Sequence, residues 1–327
     1  MTRLPCSPQA QTPALRQRGA ALLAAMLTVT LVATFAATAL WQQWRAIEVE
    51  AAERARIQSA WILVGALDWS RLILIEDGRA GGADHLAEPW AVPLQEARLS
   101  TFLAADRNVS QAEDASTNTQ DAFLSGQIID LQSRLNLANL VSAGTVDEKA
   151  LARLARLFNQ LGLPTQELTA LVQALREAQE PEGSTNAPLM PQTPGQLAWL
   201  GLSPRTLALL APHVALLPER KPVNINTAGV EVLLASIDGL DMAGANKIVA
   251  VRQMQHFKSV DEASALLGQG LELAGSDLGV ASTFFEVHGR LRLGDVTVQE
   301  RSMVRRQGLE VTTLWRERGS ATIQGMP

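Results

Sequence analysis

The sequence GAALLAAMLTVTLVATFAATALWQQW, residues 19–44, decides the class of this protein, because it includes no charged side chain. A helix of that length extends roughly 39 Å, enough to cross the apolar core of a bilayer. Arg16 and Arg18 precede the span and acidic residues follow it, so the positive-inside rule places the N-terminus in the cytoplasm. Trp41 and Trp44 lie where interfacial anchors are expected. We therefore predict a single membrane pass.

Three interpretations of this N-terminus are open. The first is a plain signal anchor. The second is a secretory signal cleaved after the A-T-A sequence at 37–39, which follows an apolar region. The third is a prepilin-type leader cut between Gly19 and Ala20 on the cytoplasmic side, so that the apolar stretch stays on the mature protein. The cysteine count does not separate them, because Cys6 is the only cysteine and no disulfide can form within the chain.

The sequence after the span favours the third interpretation. Between Trp41 and about Ile75 there is no proline, and Gly65 is the only glycine. Apolar residues recur there at mostly three- and four-residue spacing, which is typical of an amphipathic helix. A membrane span that continues into one long helix resembles the stem of a type IV pilin.

Strands are predicted on both sides of a helical middle. Residues 126–141 predict a strand that enters a turn. Residues 284–306 alternate and contain Gly294-Asp295, a hairpin signal, and 309–315 form a third strand candidate. One sheet interrupted by an insertion explains this order.

The middle of the chain contains a repeat. Gly-Leu pairs begin at Gly162, Gly201 and Gly239, at nearly equal spacing. Leu or Ala follows six positions after each glycine, and Leu or Ile follows nine positions after it. This pattern predicts a helix, a glycine C-cap, a short turn and a new helix, three times over.

The third repeat, residues 222–252, resembles a helix-hairpin-helix module, whose backbone amides bind phosphate in nucleic-acid-binding members. Here Asp241 takes the place of the second glycine, and we expect its carboxylate to cap the helix and repel phosphate. Without residues 1–19 the chain has 25 basic and 33 acidic residues, which also disfavours nucleic acid. A membrane-anchored or periplasmic nucleic-acid-binding protein of the DNA-uptake type is the alternative function.

Three segments together resemble one family, the general secretion pathway protein K family of type II secretion minor pseudopilins. They are RQRGAALLAAMLTVTL at 16–31, GQIIDLQSRLNLANLV at 126–141, and a stretch at 210–237 that contains V-N-I-N-T-A. Most pilins carry Glu as the fifth mature residue, but here Ala24 occupies that position, as is typical of protein K.

The resemblance implies an α+β fold: a type IV pilin-like long N-terminal helix plus an antiparallel sheet, with a large inserted helical domain of the helix-hairpin-helix or SAM-like kind. It implies a leader at 1–19, the membrane part of the stem at 20–44, its periplasmic part at 45–77, a pilin-like domain at 78–141 and 283–327, and the insertion at 142–282.

It also implies a place at the tip of the pseudopilus in the inner membrane, with a periplasmic C-terminal domain. The implied partners are homologues of proteins I and J, the major pseudopilin, the prepilin peptidase and the inner-membrane secretion platform. For the stem interface we predict Ala24, Ile47, Ile57, Trp61 and Val64.

No catalytic motif is present, and the four histidines, at 85, 213, 256 and 288, occur singly, so we predict a structural protein and not an enzyme. Calcium is known in the family, but the resemblance maps no ligands. Asp106, Glu113, Asp114 and Asp121 are hard oxygen donors in a segment that we interpret as a solvated loop.

The prepilin interpretation predicts that the mature chain begins at Ala20 when the matching peptidase is present. Gly19→Val should block cleavage, because the prepilin peptidase cuts after a glycine. N-terminal sequencing of the membrane-extracted protein is the measurement. A mature chain that begins at Leu40 would show instead that the apolar stretch is a cleaved secretory signal.

Overall fold

The structure, a computed structural model, describes residues 17–101, 122–142, 144–179, 187–267, 273, 277–294 and 296–320. The chain divides into two units, residues 1–57 and 58–327, with the division inside helix α1, Gln17–Ala80.

The described part of the first unit is all helix, without a charged side chain from Gly19 to Trp44 and with charged residues after it. Every side chain from Gly19 to Arg54 is exposed. The hydroxyl groups of Thr28, Thr30 and Thr34 each donate to the carbonyl three residues earlier, at 2.8–2.9 Å. These bonds satisfy polar groups that would have no partner in hydrocarbon. From Gly19 onward, α1 is long and apolar enough to cross a membrane. Signal sequences and the core helices of other proteins can meet the same criterion.

The second unit contains eleven described strands. They are β1 Leu94–Arg98, β2 Ala122–Asp130, β3 Leu135–Asn136, β4 Val141–Ser142, β5 Thr145–Val146, β6 Val214–Ala215, β7 Val223–Asn224, β8 Leu278–Gly279, β9 Phe284–Leu293, β10 Val296–Gln307 and β11 Glu310–Ser320.

Five of these strands form one antiparallel sheet in the order β1-β2-β9-β10-β11. Strands β2 and β9 are neighbours in the sheet although they lie far apart in the chain, with Ala122 opposite Leu293 and Asp130 opposite Phe285. The intervening helical region is therefore an insertion between two adjacent strands. The predicted α+β pilin-like class is confirmed.

One face of the sheet packs on residues 58–80 of α1. Leu63, Leu67 and Leu74, at most 3% exposed, recur at helical spacing and meet Phe285 and Leu291 of β9. Gly289 of β9 allows the helix to approach closely, since a Cβ added there would be 3.0 Å from Leu63. The helix and the sheet are thus joined by two apolar clusters, one that contains Leu67, Leu74 and Phe285 and one that contains Leu63 and Leu291.

The insertion contains six described α-helices around a core of its own. They are α2 Glu148–Gln160, α3 Thr165–Gln179, α4 Pro204–Leu210, α5 Val230–Ser236, α6 Met242–Met254 and α7 Val260–Leu267, with a 3-10 helix at Pro194–Leu200.

The predicted repeat is confirmed as three helix–turn–helix units. Gly162, Gly201 and Gly239 have φ of +64°, +90° and +74°, a conformation that glycine adopts without steric cost. Two of the helices that follow begin at side-chain caps: Ser203 accepts from the amide of Thr206, and Asp241 accepts from that of Gly244. The residues nine positions after each glycine, 171, 210 and 248, are fully buried.

The C-terminal strand predictions are also confirmed. Strands β9 and β10 pair antiparallel on either side of Gly294, which has φ +56°, while its neighbour Asp295 lies outside the described residues. The third candidate strand is β11, joined to β10 by a two-residue turn that contains Gly308.

A left-handed glycine at the first repeat predicts a measurable strain. Gly162→Ala should lower the free energy of unfolding by about 1–2 kcal/mol, because a Cβ disfavours positive φ although no other atom obstructs it. The measurement is urea unfolding of the full chain in detergent micelles. The matched control is Gly195→Ala, which also has open space but no positive φ, and should change little. Equal unfolding midpoints for the two variants would contradict this account.

Candidate functional site: the stem surface and the insertion junction

The predicted processing residues lie at the start of α1. Gly19, Ala20 and Ala24 are exposed helical residues. Cleavage between the first two stays a prediction, as does the meaning of alanine at position 24.

The predicted interface residues fall in both units. In the first unit, Ile47 and Ile57 are 58% and 57% exposed. In the second unit, Trp61 is 72% exposed and Val64 is partly buried. Apolar side chains held in water cost free energy, and clusters of them mark contact surfaces.

Within the second unit, α1 is apolar on two sides. Trp61 and Leu72 share a face, since eleven residues are close to three turns, and both are exposed. That face lies nearly half a turn from Leu63, Leu67 and Leu74, which the sheet covers. The sequence alone did not distinguish the two faces.

Four segments of the second unit meet at a buried polar cluster, which we call the insertion junction: Asp84, Asp130, Asn224, Thr227 and Ser282. Asp130 ends β2, where the chain leaves the sheet, and Ser282 precedes β9, where it returns. Asp130 Oδ2 accepts from Thr227 Oγ1 at 2.5 Å, Ser282 Oγ at 2.6 Å and Asn224 Nδ2 at 3.2 Å. The junction therefore binds the insertion to both ends of the strand pair that it interrupts.

The Asp130 carboxylate is buried among neutral donors. Burial raises its pKa to about 6, while bonds from Ser282, Thr227 and the amide of Gln132 oppose the shift. Because donors surround it, the carboxylate is held in place rather than exposed to a ligand. The geometry indicates a structural role.

A second buried polar contact closes the hairpin region of the insertion. Asn226 Nδ2 donates to the carbonyl of Phe257, and the amide of Phe257 donates to Asn226 Oδ1, both at 2.9 Å. The Asn226 side chain is 1% exposed. This two-bond clamp holds the segment after α6 against the V-N-I-N-T-A motif.

The asparagine-rich segment makes an equivalent clasp. Asn136 Nδ2 donates to the carbonyl of Glu219 at 2.8 Å, and Asn139 Nδ2 donates to the carbonyl of Lys221 at 2.8 Å. The amide of Leu217 donates to Asn136 Oδ1. Both asparagines thus provide partners for the main chain of the loop that connects β6 to β7.

Three carboxylates near the end of α1 come close enough to hold a cation: Asp77, Asp84 and Glu88. Arg306 of β10 already fills this role, because its guanidinium donates to both Asp77 and Asp84. Burial raises the pKa of both aspartates, and Arg306 opposes the rise. The calcium ligand candidates from the sequence, Asp106, Glu113, Asp114 and Asp121, lie outside the described residues.

The four histidines occur singly in the sequence, but the fold brings two of them together. His85 and His256 stack with ring centroids 3.8 Å apart and planes 11° from parallel. Desolvation lowers the pKa of both, although acidic neighbours oppose the shift. Since they are far apart in the chain, no local signal could have revealed the pair.

In nucleic-acid-binding helix-hairpin-helix proteins, the turn before the second helix offers free amides to a phosphate. In this chain a side chain already accepts a hydrogen bond there. Asp241 Oδ1 accepts from the amide of Gly244 at 2.7 Å, so the carboxylate occupies the helix N-terminus. The predicted capping role of Asp241 is confirmed, and it places negative charge where a phosphate would have to bind.

Comparisons with known proteins agree with this architecture. Two family models described as "Type II secretion system (T2SS), protein K" match residues 133–219 and 223–281. A "Type II secretion system protein K" of Pseudomonas aeruginosa is 28% identical over 306 residues, covering 85% of this chain and 86% of the relative. Its namesake from Klebsiella pneumoniae is 25% identical, with 90% and 94% covered.

The fold has a solved counterpart in "The Crystal Structure of the GspK-GspI-GspJ complex from enterotoxigenic Escherichia coli Type 2 Secretion System". The match has a TM-score of 0.61 at 18% identity and covers 83% of this chain and 99% of that one. At this identity the match shows the fold alone.

An antiparallel sheet packed on the second part of a long N-terminal helix, with a helical insertion, defines a pilin-like fold, and the apolar first part of that helix fits a membrane anchor. The two family models and the curated relatives support the type II secretion system protein K family for this chain, a family of structural minor pseudopilins.

The Asn226 clamp yields a prediction. Asn226→Asp replaces the Nδ2 donor by an oxygen that faces the carbonyl of Phe257, so the free energy of unfolding at pH 8 should fall by at least about 2 kcal/mol. The deficit should shrink as the pH falls, because a protonated carboxyl can donate that bond again. The measurement is urea unfolding of the full chain at pH 8 and pH 5.

Asn159→Asp, at an exposed position near the end of α2, is the matched control and should change stability by less than about 0.5 kcal/mol at either pH. If Asn226→Asp unfolds at the wild-type urea midpoint at pH 8, the clamp does not carry the stability assigned to it.

Proposed function

We propose that this chain is a minor pseudopilin at the tip of a type II secretion pseudopilus, where it helps to initiate assembly for export of folded proteins. Its stem crosses the inner membrane with the N-terminus cytoplasmic and the C-terminal domain periplasmic. Its neighbours are homologues of proteins I and J, with the major pseudopilin below. The prepilin peptidase and the inner-membrane platform act on it earlier.

The observation that carries the proposal is the apolar surface of α1 that the rest of its own unit leaves uncovered. Trp61 and Leu72 stay exposed although the same helix segment packs its other side on the sheet. Tryptophan is among the residue types that contribute most of the binding energy at protein interfaces. A helix–helix contact with a partner stem would cover them.

Support for the tip comes from two further features. Ala24 lacks the carboxylate that in most pilins neutralises the terminal amine of a neighbouring stem, and a subunit with none ahead of it needs no such contact. The insertion predicted at 142–282 would meet steric limits between stacked subunits. The GspK relative was solved in complex with GspI and GspJ, which supports the same partners here.

The stem contact is tested with Trp61→Ala in the full chain. Its complex with the proteins I and J of the same system should weaken by about 2 kcal/mol or more, because the variant lacks the aromatic side chain that the partner stem would bury. Affinity is measured with purified proteins in detergent micelles, and secretion by export of a substrate in cells. Trp199→Ala, at a tryptophan of the insertion that is 60% exposed, is the matched control and should bind normally.

Placement at the tip can be tested separately from the stem contact. Ala24→Glu should impair assembly or secretion, since it adds a carboxylate to the membrane helix with no amine to pair with. Normal secretion by this variant would remove the support that Ala24 gives to tip placement. Normal binding by Trp61→Ala would instead show that the interface lies elsewhere.

A further inference from the structure

Among the described strands, the sheet ends at a long one, β11, that has one neighbour. Ten of its eleven residues pair with β10, and the backbone hydrogen bonds described for residues 312–319 all belong to that ladder. An unpaired strand edge presents a row of N–H and C=O groups to any extended chain that approaches it. The other edge strand, β1, has five residues and an irregular register.

At the start of β11, one outward-pointing carbonyl of this edge already accepts hydrogen bonds from a side chain. Val311 lies one position beyond the Gln307–Glu310 pair that flanks the turn, so its carbonyl points away from β10. Arg71 of α1 donates to that carbonyl at 2.7 and 2.9 Å. The outward groups from Thr313 to Gly319 remain, a length of about 23 Å.

One face of the edge adjoins a cleft. Two cavities of about 420 and 560 Å³ lie between the sheet and the insertion. Trp315 lines both of them, as do Met303, Gln192 and Leu216. Leu314, left without a partner by a bulge, is 39% exposed at the second of them. The walls are largely apolar and accept apolar side chains.

The cleft also contains an unused donor. The indole nitrogen of Trp315 is buried and finds no acceptor among the described residues. Burying an N–H without a partner costs free energy, and tryptophan usually finds one. A carbonyl on a segment lying along the cleft would supply it.

The opposite face of the edge is basic. Arg316 and Arg318 both bind one buried carboxylate, Glu300, at 3.1 and 2.6 Å. Two guanidinium groups share one acid, so one positive charge is left over on this face. The hairpin region 284–320 has seven arginines against five acids, although the whole chain has a net charge of −5.

We propose that β11 is a docking site for an extended peptide segment of another protein, one that alternates apolar and acidic residues. The segment adds as a sixth strand: its main chain pairs with residues 313–319, its apolar side chains enter the cleft beside Trp315, and its carboxylates meet Arg316 and Arg318. This surface is separate from the stem contact and does not depend on tip placement.

The probe is a fluorescein-labelled peptide, Val-Asp-Val-Asp-Val-Asp-Val, titrated with the full chain in detergent micelles and followed by anisotropy, with empty micelles as background. Saturable binding is expected. The same peptide with N-methyl groups along one edge should bind at least about tenfold more weakly, because it cannot complete the ladder. Replacing its aspartates by lysines should abolish binding.

Two variants locate the site on the protein. Trp315→Phe keeps an aromatic ring and removes the indole donor, so binding should weaken about three- to tenfold, the equivalent of one hydrogen bond. Thr313→Pro removes an outward amide and should weaken binding further. Trp199→Phe is the matched control and should bind as the wild type does.

The proposal is wrong if the peptide does not saturate, or if the N-methylated peptide binds the wild-type chain as well as its parent does. It is also wrong if a folded Thr313→Pro variant, checked by circular dichroism, binds normally. Should that variant fail to fold, the two peptides on the wild-type chain still decide the question.

Discussion

The structure of the second unit depends on one buried carboxylate. Asp130 lies at the last residue of β2, where the chain leaves the sheet, and the insertion must return next to it. A buried charge without partners would be very costly, so the fold brings Thr227, Asn224 and Ser282 to it from segments far apart in sequence. The same contacts that satisfy Asp130 therefore fix the insertion to the sheet.

This constraint explains which parts of the fold could be predicted from sequence. The three helix–turn–helix units were visible because their signals are local: glycines that adopt positive φ, and caps such as Ser203 and Asp241 directly after them. The hairpin strands were visible for the same reason. The junction was not, because Asp130 and Ser282 become neighbours only when β2 and β9 pair.

For the stem helix, the sequence offers more apolar positions than the protein's own core can cover. Its sequence is apolar on two sides, so periodicity alone cannot say which side the sheet covers. The structure selects Leu63, Leu67 and Leu74, and Gly289 opposite them allows the close approach. Of the residues predicted as an interface from the same periodicity, Ile47, Ile57 and above all Trp61 remain exposed, while Val64 is partly buried. A surface of this kind is identified by what the protein's own core leaves uncovered, and periodicity can supply only the candidates.

The V-N-I-N-T-A motif shows how one sequence pattern can serve two functions. In a helix-hairpin-helix protein that binds nucleic acid, the turn between the helices offers free amides to phosphate. Here Asn224 and Thr227 bind the junction, Asn226 clamps Phe257, and Val223, Ile225 and Ala228 are buried, so every side chain of the motif faces inward. The motif therefore specifies how the hairpin is anchored to its surroundings. Phosphate binding is decided elsewhere, at the second turn position, and there Asp241 occupies the amide that a phosphate would need. Because anchoring and ligand binding reside in different residues, a secretion component can retain the first and lose the second without any change of fold.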